Sequence, residues 1–246
     1  MSDKKEVKQE VELKQDRPQI NIPDYLDSNY VLGKFDPAAH KWFTKIDIKY
    51  ADRQGLYLHK EAYDAFKDMW SAAKEDGVNL TIRSATRNFG YQKSIWQRKW
   101  NGEVLLEGKD NARTKYEDNY QRAIAIMRFS AMPGTSRHHW GTDIDLNAFV
   151  NDYFESGKGL KEYEWLLAHA EQFGFVQVYT NKEENNRTGY EEEKWHWSYK
   201  PISSLCQMVV ERSIHNNDIT GFDGSGLANK IDVKTNYIFG IDKSCY

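Results

Sequence analysis

The sequence predicts an α+β protein with a small, mainly antiparallel sheet and helices packed on one side of it. Two observations lead to this fold class. Apolar residues recur at helical spacing in several long segments, whereas the segments with an alternating pattern are short. The predicted helices also come mostly before the predicted strands, instead of alternating with them as they would in a parallel sheet.

The first half of the chain contains three predicted helices and one predicted strand. Apolar residues at spacings of three and four predict a helix over 60–76, and Gly77 stands where a C-cap is expected. The β-branched, alternating segment 78–84 predicts a strand that carries Arg83 at its far end. Two further helices are predicted over 91–100 and 119–129.

The second half of the chain contains more strands. Alternation over 142–150 predicts a strand with Asp143, Asp145 and Asn147 on one face. The remaining predicted elements are a helix over 163–173 ended by Gly174 and strands over 175–179 and 194–199.

Three regions lack a clear periodic pattern. Ten of the first 17 residues are charged and none is aromatic, so residues 1–19 are predicted to be a solvated tether, or else an amphipathic helix that needs a partner surface. Residues 20–55 are predicted to be an irregular wrapping segment, and 101–117 an insertion or lid. We expect the folded domain to span 20–216, followed by a C-terminal extension over 217–246.

Composition excludes two function classes. A formal charge of -3 over 246 residues gives no general attraction to nucleic acid, so a nucleic-acid partner is not expected. No apolar run approaches the roughly 20 residues that a membrane-spanning helix needs. The first residues also lack the apolar region of a secretory signal, so we expect either a cytoplasmic protein or an export signal outside this sequence.

Two cysteines, Cys206 and Cys245, leave a choice open. A disulfide between them would fasten the C-terminus and imply an oxidising compartment, but sequence spacing does not show whether the two residues approach each other. Two free thiols are an equal alternative.

The chemistry is expected in two strings, SRHHWGTDID at 136–145 and EKWHW at 193–197. A zinc hydrolase needs three nitrogen or oxygen ligands, an open position for water and a nearby carboxylate, and the strings hold all of these. Gly141 could turn the chain and bring His138 over the strand that carries Asp145. Glu193 precedes His196 by three residues, so it must lie on the turn that enters the second strand.

Either string alone has an ordinary explanation, because a single histidine is more often a hydrogen-bonded core residue than a ligand. The joint occurrence of S-x-H-x(6)-D and E-x-x-H-W, in this order, favours a metal site. The paired strings resemble those of the zinc D-alanyl-D-alanine peptidases of the VanY and VanX type, a family related in fold to lysostaphin-type peptidases and the hedgehog signalling domain. The resemblance covers about 58–199 and includes IRS at 82–84, PG at 133–134 and TGY at 188–190.

The resemblance implies a role for each site residue. It implies that His138, Asp145 and His196 bind one catalytic Zn²⁺ and that Glu193 is the catalytic base. It also implies that Arg83 polarises the scissile carbonyl or holds the substrate, and that Ser136 and Gln92 line the substrate subsite. His139 competes with His138 on sequence alone, and His138 is preferred because it keeps the family spacing.

Two residues depart from the family pattern. Asp143 replaces a small residue two positions before the ligand Asp145, where it could orient a ligand or add a negative charge that raises a neighbour's pKa. Ser198 stands where the family often has a basic residue, so the subsite for a terminal carboxylate could differ.

The function implied by the resemblance is a D-alanyl-D-alanine carboxypeptidase that removes the terminal D-alanine of a peptidoglycan stem peptide or precursor. A D-Ala-D-Ala dipeptidase and a stem-peptide endopeptidase are alternatives within the family, and a non-catalytic binding module with a structural zinc is an alternative outside it. Glu193 favours the enzyme, because a binding module needs no base. A peptidoglycan substrate implies the periplasm or cell envelope, and the sequence does not predict an oligomeric state.

Overall fold

The computed structural model of the protein describes residues 21–246, so the prediction for residues 1–19 lies outside the described residues. The strands are β1 (Phe43–Lys45), β2 (Tyr57–His59), β3 (Ile82–Ser84), β4 (Asp143–Leu146), β5 (Phe175–Gln177) and β6 (His196–Tyr199). The helices are α1 (Ser28–Val31), α2 (Lys60–Glu75), α3 (Phe89–Trp100), α4 (Ala112–Lys115), α5 (Asn119–Ile126), α6 (Gly157–His169), α7 (Lys182–Asn185), α8 (Lys200–Ser213) and α9 (Ala228–Ile231). Within 21–246, the structure contains no helix with the length and apolarity needed to cross a membrane.

The central sheet confirms the predicted fold class. Its four strands lie in the order β3-β4-β6-β5, and every neighbouring pair is antiparallel. In a second sheet, β1 pairs with β2. In the central pair, Asp145 of β4 lies directly opposite His196 of β6. The register therefore joins the two sequence strings at one point of the sheet.

The central sheet has an apolar face and a polar face. Ile144 and Trp197, an opposed pair on β4 and β6, pack in one core cluster with residues of α2 and α6 such as Phe66 and Leu166. Because side chains alternate along a strand, Asp145 and His196 point to the other face. That second face is buried as well, which puts its polar groups out of contact with bulk water.

Several predicted elements differ from the observed ones in length. The strand predicted over 78–84 is confined to β3, and the strand predicted over 142–150 ends at Leu146. Asn147 has a φ of +62°, which takes it out of the extended conformation, and its side chain accepts a hydrogen bond from Thr81 N. The helix predicted over 163–173 begins earlier, as α6, and continues as a 3-10 turn over Ala170–Phe173.

The C-terminal residues belong to the main core. Ile219 and Phe222 pack in the same cluster as Trp96 of α3 and Val176 of β5. Residues 217–246 therefore share a core with the rest of the chain, and the domain boundary at residue 216 stays a prediction. Both Cys206 and Cys245 are buried and free, so the thiol alternative is the observed one.

Candidate metal centre and active site

Three side chains from the two strings meet at the polar face of the sheet. His138 lies on a 3-10 turn (Arg137–Trp140), whereas Asp145 and His196 lie on adjacent strands. One donor atom from each residue can be chosen so that all three lie within 4.8 Å of one another. His138 Nε2 lies 3.3 Å from Asp145 Oδ2, and His196 Nδ1 lies 3.3 Å from Asp145 Oδ1.

A glycine turn places His138 above the strand. Gly141 has a φ of +71° and ends the 3-10 turn, and β4 begins two residues later. The main-chain N–H of His59 donates to Gly141 O, which holds the turn against β2. Left-handed backbone at this position is readily adopted only by glycine. A single residue, Gly141, therefore provides the chain reversal expected from the sequence.

Gly141→Ala should destabilise the fold by about 2–5 kcal/mol, because a left-handed backbone and a steric overlap both oppose the new Cβ. That atom would lie 2.3 Å from Phe43 Cε1. The measurement is the free energy of unfolding in urea. Gly55→Ala is the matched control, since Gly55 has a φ of +83° with open space around it, and should cost only about 1–2 kcal/mol. Equal losses in both variants would contradict this account of the turn.

The unpartnered atoms of the cluster fit a metal ion. His138 Nδ1 donates to Ala85 O at 2.8 Å, which leaves Nε2 as the atom with a free lone pair. In the part of the chain that the structure describes, His138 Nε2 and Asp145 Oδ1 are buried without a hydrogen-bond partner. Buried polar atoms are normally satisfied, so two unsatisfied atoms on residues whose possible ligand atoms lie within 4.8 Å of one another are what a ligand set presents. Two imidazoles and one carboxylate suit Zn²⁺ with an open fourth position.

The electrostatics of the cluster favour a positive charge. Burial alone would lower the pKa of His196, but the carboxylates of Asp143, Asp145 and Glu193 hold it well above its usual range. Burial alone would likewise raise the pKa of Asp145, but the two histidines hold it below its usual range. A proton or a metal cation can supply this charge, and metal binding then releases the proton.

Glu193 stands beside the three donors. Its Oε2 lies 3.2 Å from His196 Nδ1, and the residue precedes β6 on a turn in which His196 N donates to Glu193 O. This is the location that the spacing in EKWHW requires. Glu193 is 6% exposed, and burial raises the pKa of its carboxyl although His196 opposes the shift.

A cleft of about 670 Å³ opens next to these groups. Asp145 and Glu193 belong to its lining, together with three cationic side chains, Arg87, Lys99 and Lys109. A smaller chamber of about 30 Å³ adjoins the cluster and is lined by Ser136, His138, Tyr179, Tyr190, Glu193 and His196, among others. Glu193 therefore borders both an open cleft and a small chamber.

The structure does not bring Arg83 to this cleft. Its Nε donates to Asp52 Oδ2 at 2.5 Å, its Nη1 donates to Asn147 O, and its side chain is 35% exposed. The register of β3 with β4 shifts between Ile82 and Ser84, and the contacts with Asp52 and Asn147 hold the Arg83 side chain outside the cleft lining. The role that the family resemblance implies for Arg83 has no support in this placement.

The sequence reasoning missed Arg87, a cationic residue that the structure does bring to the site. It lines both the cleft and the small chamber. Its main chain is fixed on two sides, because Arg87 N donates to His138 O and Arg87 O accepts from His139 Nδ1 at 2.5 Å. The sequence feature that could have indicated Arg87 is its position in the loop between the strand that ends at Ser84 and the helix capped by Asn88.

The other predicted residues are distributed unequally. Ser136 lines the small chamber. Gln92 is buried and its Nε2 donates to Ala131 O, but it is outside the lining of the cleft and of the chamber. Both ring nitrogens of His139 are used, one with Arg87 O and one accepting from Gly134 N, so the donor free for a metal is on His138.

Comparison with known proteins gives a family match. Residues 55–202, more than half of the chain, match the family model described as VanY, D-alanyl-D-alanine carboxypeptidase. The chain belongs to the VanY family. The resemblance inferred from the two strings is thereby confirmed.

Individual VanY relatives are distant in sequence. The chain is 28% identical over 204 residues to the putative carboxypeptidase YodJ of Bacillus subtilis (strain 168), covering 81% of this chain and 65% of that protein. It is 31% identical over 142 residues to a D-alanyl-D-alanine carboxypeptidase of Enterococcus faecalis (strain ATCC 700802 / V583). This match covers 58% of this chain and 48% of that protein. The chain thus spans less than two thirds of the length of both curated relatives.

A solved structure shares the fold. The LdcB LD-carboxypeptidase is 22% identical, with a TM-score of 0.50, and the match covers 86% of this chain and 81% of that one. At this identity the likeness concerns the fold alone.

Proposed function

We propose that this VanY-family protein is a zinc-dependent carboxypeptidase that removes the terminal D-alanine from peptidoglycan stem peptides. The observation that carries the proposal is the buried group of His138, Asp145 and His196, with unpartnered donor atoms and with Glu193 beside it at the edge of a cleft. A structural zinc in a binding module would have no use for this glutamate.

The residues divide the work of hydrolysis between them. The zinc ion would be held by His138 Nε2, Asp145 and His196 Nδ1. When bound, it would act as a Lewis acid that lowers the pKa of a water molecule toward about 7. Glu193 takes a proton from the attacking water and delivers it to the leaving amine, a role that a carboxyl with a raised pKa suits. Arg87, in place of Arg83, stabilises the oxyanion that develops on the scissile carbonyl.

The shape of the site supports a peptide substrate. The chamber of about 30 Å³ is lined by His138, Glu193 and His196, so it has room for an ion and an attacking water molecule beside the base. The adjoining cleft of about 670 Å³ is large enough for the rest of a stem peptide, which supports this substrate over a free dipeptide. Peptidoglycan as the substrate would place the protein in the cell envelope.

The decisive experiment uses the zinc-loaded protein and identifies products by mass. A pentapeptide that ends in D-Ala-D-Ala should lose one alanine, and the metal-free protein should release none until zinc is restored. Cleavage of free D-Ala-D-Ala alone would assign a dipeptidase, and cleavage of an internal bond would assign an endopeptidase. Binding of zinc without cleavage of any of these peptides would contradict the proposed activity.

A further inference from the structure

A buried carboxylate lies behind His196, and the hydrolytic steps above do not use it. Asp143 is 0% exposed and stands on β4 two residues before Asp145. Its Oδ2 lies 2.8 Å from His196 Nε2. The opposite ring nitrogen, Nδ1, faces Asp145 and Glu193. Asp143 therefore contacts the side of the imidazole that points away from the metal centre.

Four donors surround the carboxylate of Asp143. Thr142 Oγ1 and Ser198 Oγ each donate to Oδ1 at 2.6 Å. Arg137 Nε donates to Oδ2 at 3.1 Å, and Oδ2 also accepts from His196 Nε2. An ionised carboxylate has about four acceptor positions, so these contacts fill its capacity and fix its orientation.

Arg137 balances the charge of Asp143. Its side chain is fully buried, its Nη2 donates to Ser198 Oγ, and its guanidinium lies 4.5 Å from the centre of the Trp140 ring. A buried charge needs a partner with good hydrogen-bond geometry, which each of the two ions gives the other. The pair is neutral as a whole, so it adds orientation at the metal centre without adding net charge.

The two histidines of the centre are thus held in different ways. His138 donates its second ring nitrogen to a neutral carbonyl, that of Ala85, whereas the second ring nitrogen of His196 meets a carboxylate. A carboxylate partner fixes the tautomer of a ligating imidazole and raises its basicity. Of the two histidines, His196 is therefore the one whose second ring nitrogen contacts a charged group.

We propose that Asp143 is a positioning residue that holds the proton of His196 on Nε2 and so directs the Nδ1 lone pair toward the zinc ion. Arg137 keeps the carboxylate in place. The inference rests on the proposed zinc site, which uses His196 as a ligand. It also gives a reason for the pair of departures from the family pattern: Asp143 and Ser198 are opposite each other on β4 and β6 and belong to one hydrogen-bonded network.

The test compares zinc affinity, by competition with a chromophoric chelator, in two variants. Asp143→Asn keeps the shape and loses the charge. The double variant Arg137→Met/Asp143→Ala removes both ions, so that no lone buried charge remains. We expect zinc binding to weaken by about 10- to 100-fold in the double variant, and by less in Asp143→Asn, whose amide oxygen can still accept from His196.

A second readout separates positioning from packing. The ¹⁵N NMR shifts of His196 in the zinc-free protein at a pH where the ring is neutral should report the Nε2–H tautomer in the wild type and a mixture of tautomers in the double variant. Ser198→Ala is an intermediate variant, since it removes one of the donors that orient Asp143 but leaves the contact with His196. Its zinc affinity should change by less than about 10-fold and its tautomer should stay the same.

The outcomes distinguish this inference from the proposed function. A wild-type protein that binds no zinc would overturn both. If the wild type binds one zinc ion and both Asp143 variants bind it equally well with an unchanged tautomer, only the role of Asp143 is overturned. If the double variant does not fold, as judged by thermal unfolding without zinc, the Asp143→Asn result decides.

Discussion

Glu193→Gln should lower kcat for D-alanine release by about 10²- to 10⁴-fold, the range that general acid–base catalysis contributes. Gln has nearly the same shape as Glu, but its amide cannot take a proton from water. The carboxyl of Glu193 lies 3.2 Å from His196 Nδ1, close to the three donors without being needed to complete the set. The variant should therefore keep one zinc ion per chain, measured by elemental analysis, while turnover is followed by the alanine released.

Glu192→Gln is the matched control for this prediction. Glu192 is the preceding carboxylate, is partly exposed, and contributes its main-chain oxygen to Asn151 without lining the cleft. Its substitution should change kcat by less than about 10-fold. A Glu193→Gln variant that retains wild-type kcat would remove Glu193 from the mechanism, and loss of zinc from that variant would make it a ligand instead.

Arg87→Met should lower kcat/KM by about 10²- to 10³-fold, as the loss of one donor to a developing oxyanion does. The hydrogen bonds that fix Arg87 to His138 and His139 are made by its main chain, so the substitution leaves them in place. A lower kcat/KM would then result from the missing guanidinium and not from a displaced loop. Steady-state kinetics with the pentapeptide provide the measurement.

Arg83→Met makes the same chemical change at an arginine outside the lining of the cleft. The Arg83 side chain bonds to Asp52 and to Asn147 O, so we expect a small loss of stability and a change in kcat/KM of less than about 10-fold. If Arg83→Met gave the large loss and Arg87→Met the small one, the role implied by the resemblance would be right and the assignment from the cleft wrong.

Within each of the two strings, the geometry could be predicted from sequence because it is local. The turn at Gly141 and the alternation along β4 fix how His138 stands relative to Asp145, and the spacing in EKWHW fixes how Glu193 stands relative to His196. The strand register then brings the two strings together, since Asp145 and His196 are direct partners. That pairing is a long-range contact, which neither string encodes, and the joint ligand set was expected from the family resemblance.

The rest of the site depends on contacts that sequence patterns do not encode. Arg83 stands where the register of β3 shifts, so alternation along the strand does not fix the direction of its side chain. Lys99 reaches the cleft only through the packing of α3. The burial of Arg137 was not predicted, because arginine is normally exposed unless it is paired. Its partner, Asp143, was noted in the sequence only as a departure from the family pattern.

The direct opposition of Asp145 and His196 links ion capture to the alignment of β4 and β6. A shift of one residue between two strands turns every side chain of the shifted strand to the opposite face. A misaligned chain would present Ile144 or Trp197 where a ligand is needed, and would hold the ion with too few donors. A zinc ion bound by these residues would therefore stabilise the native alignment of β4 and β6 over a shifted one.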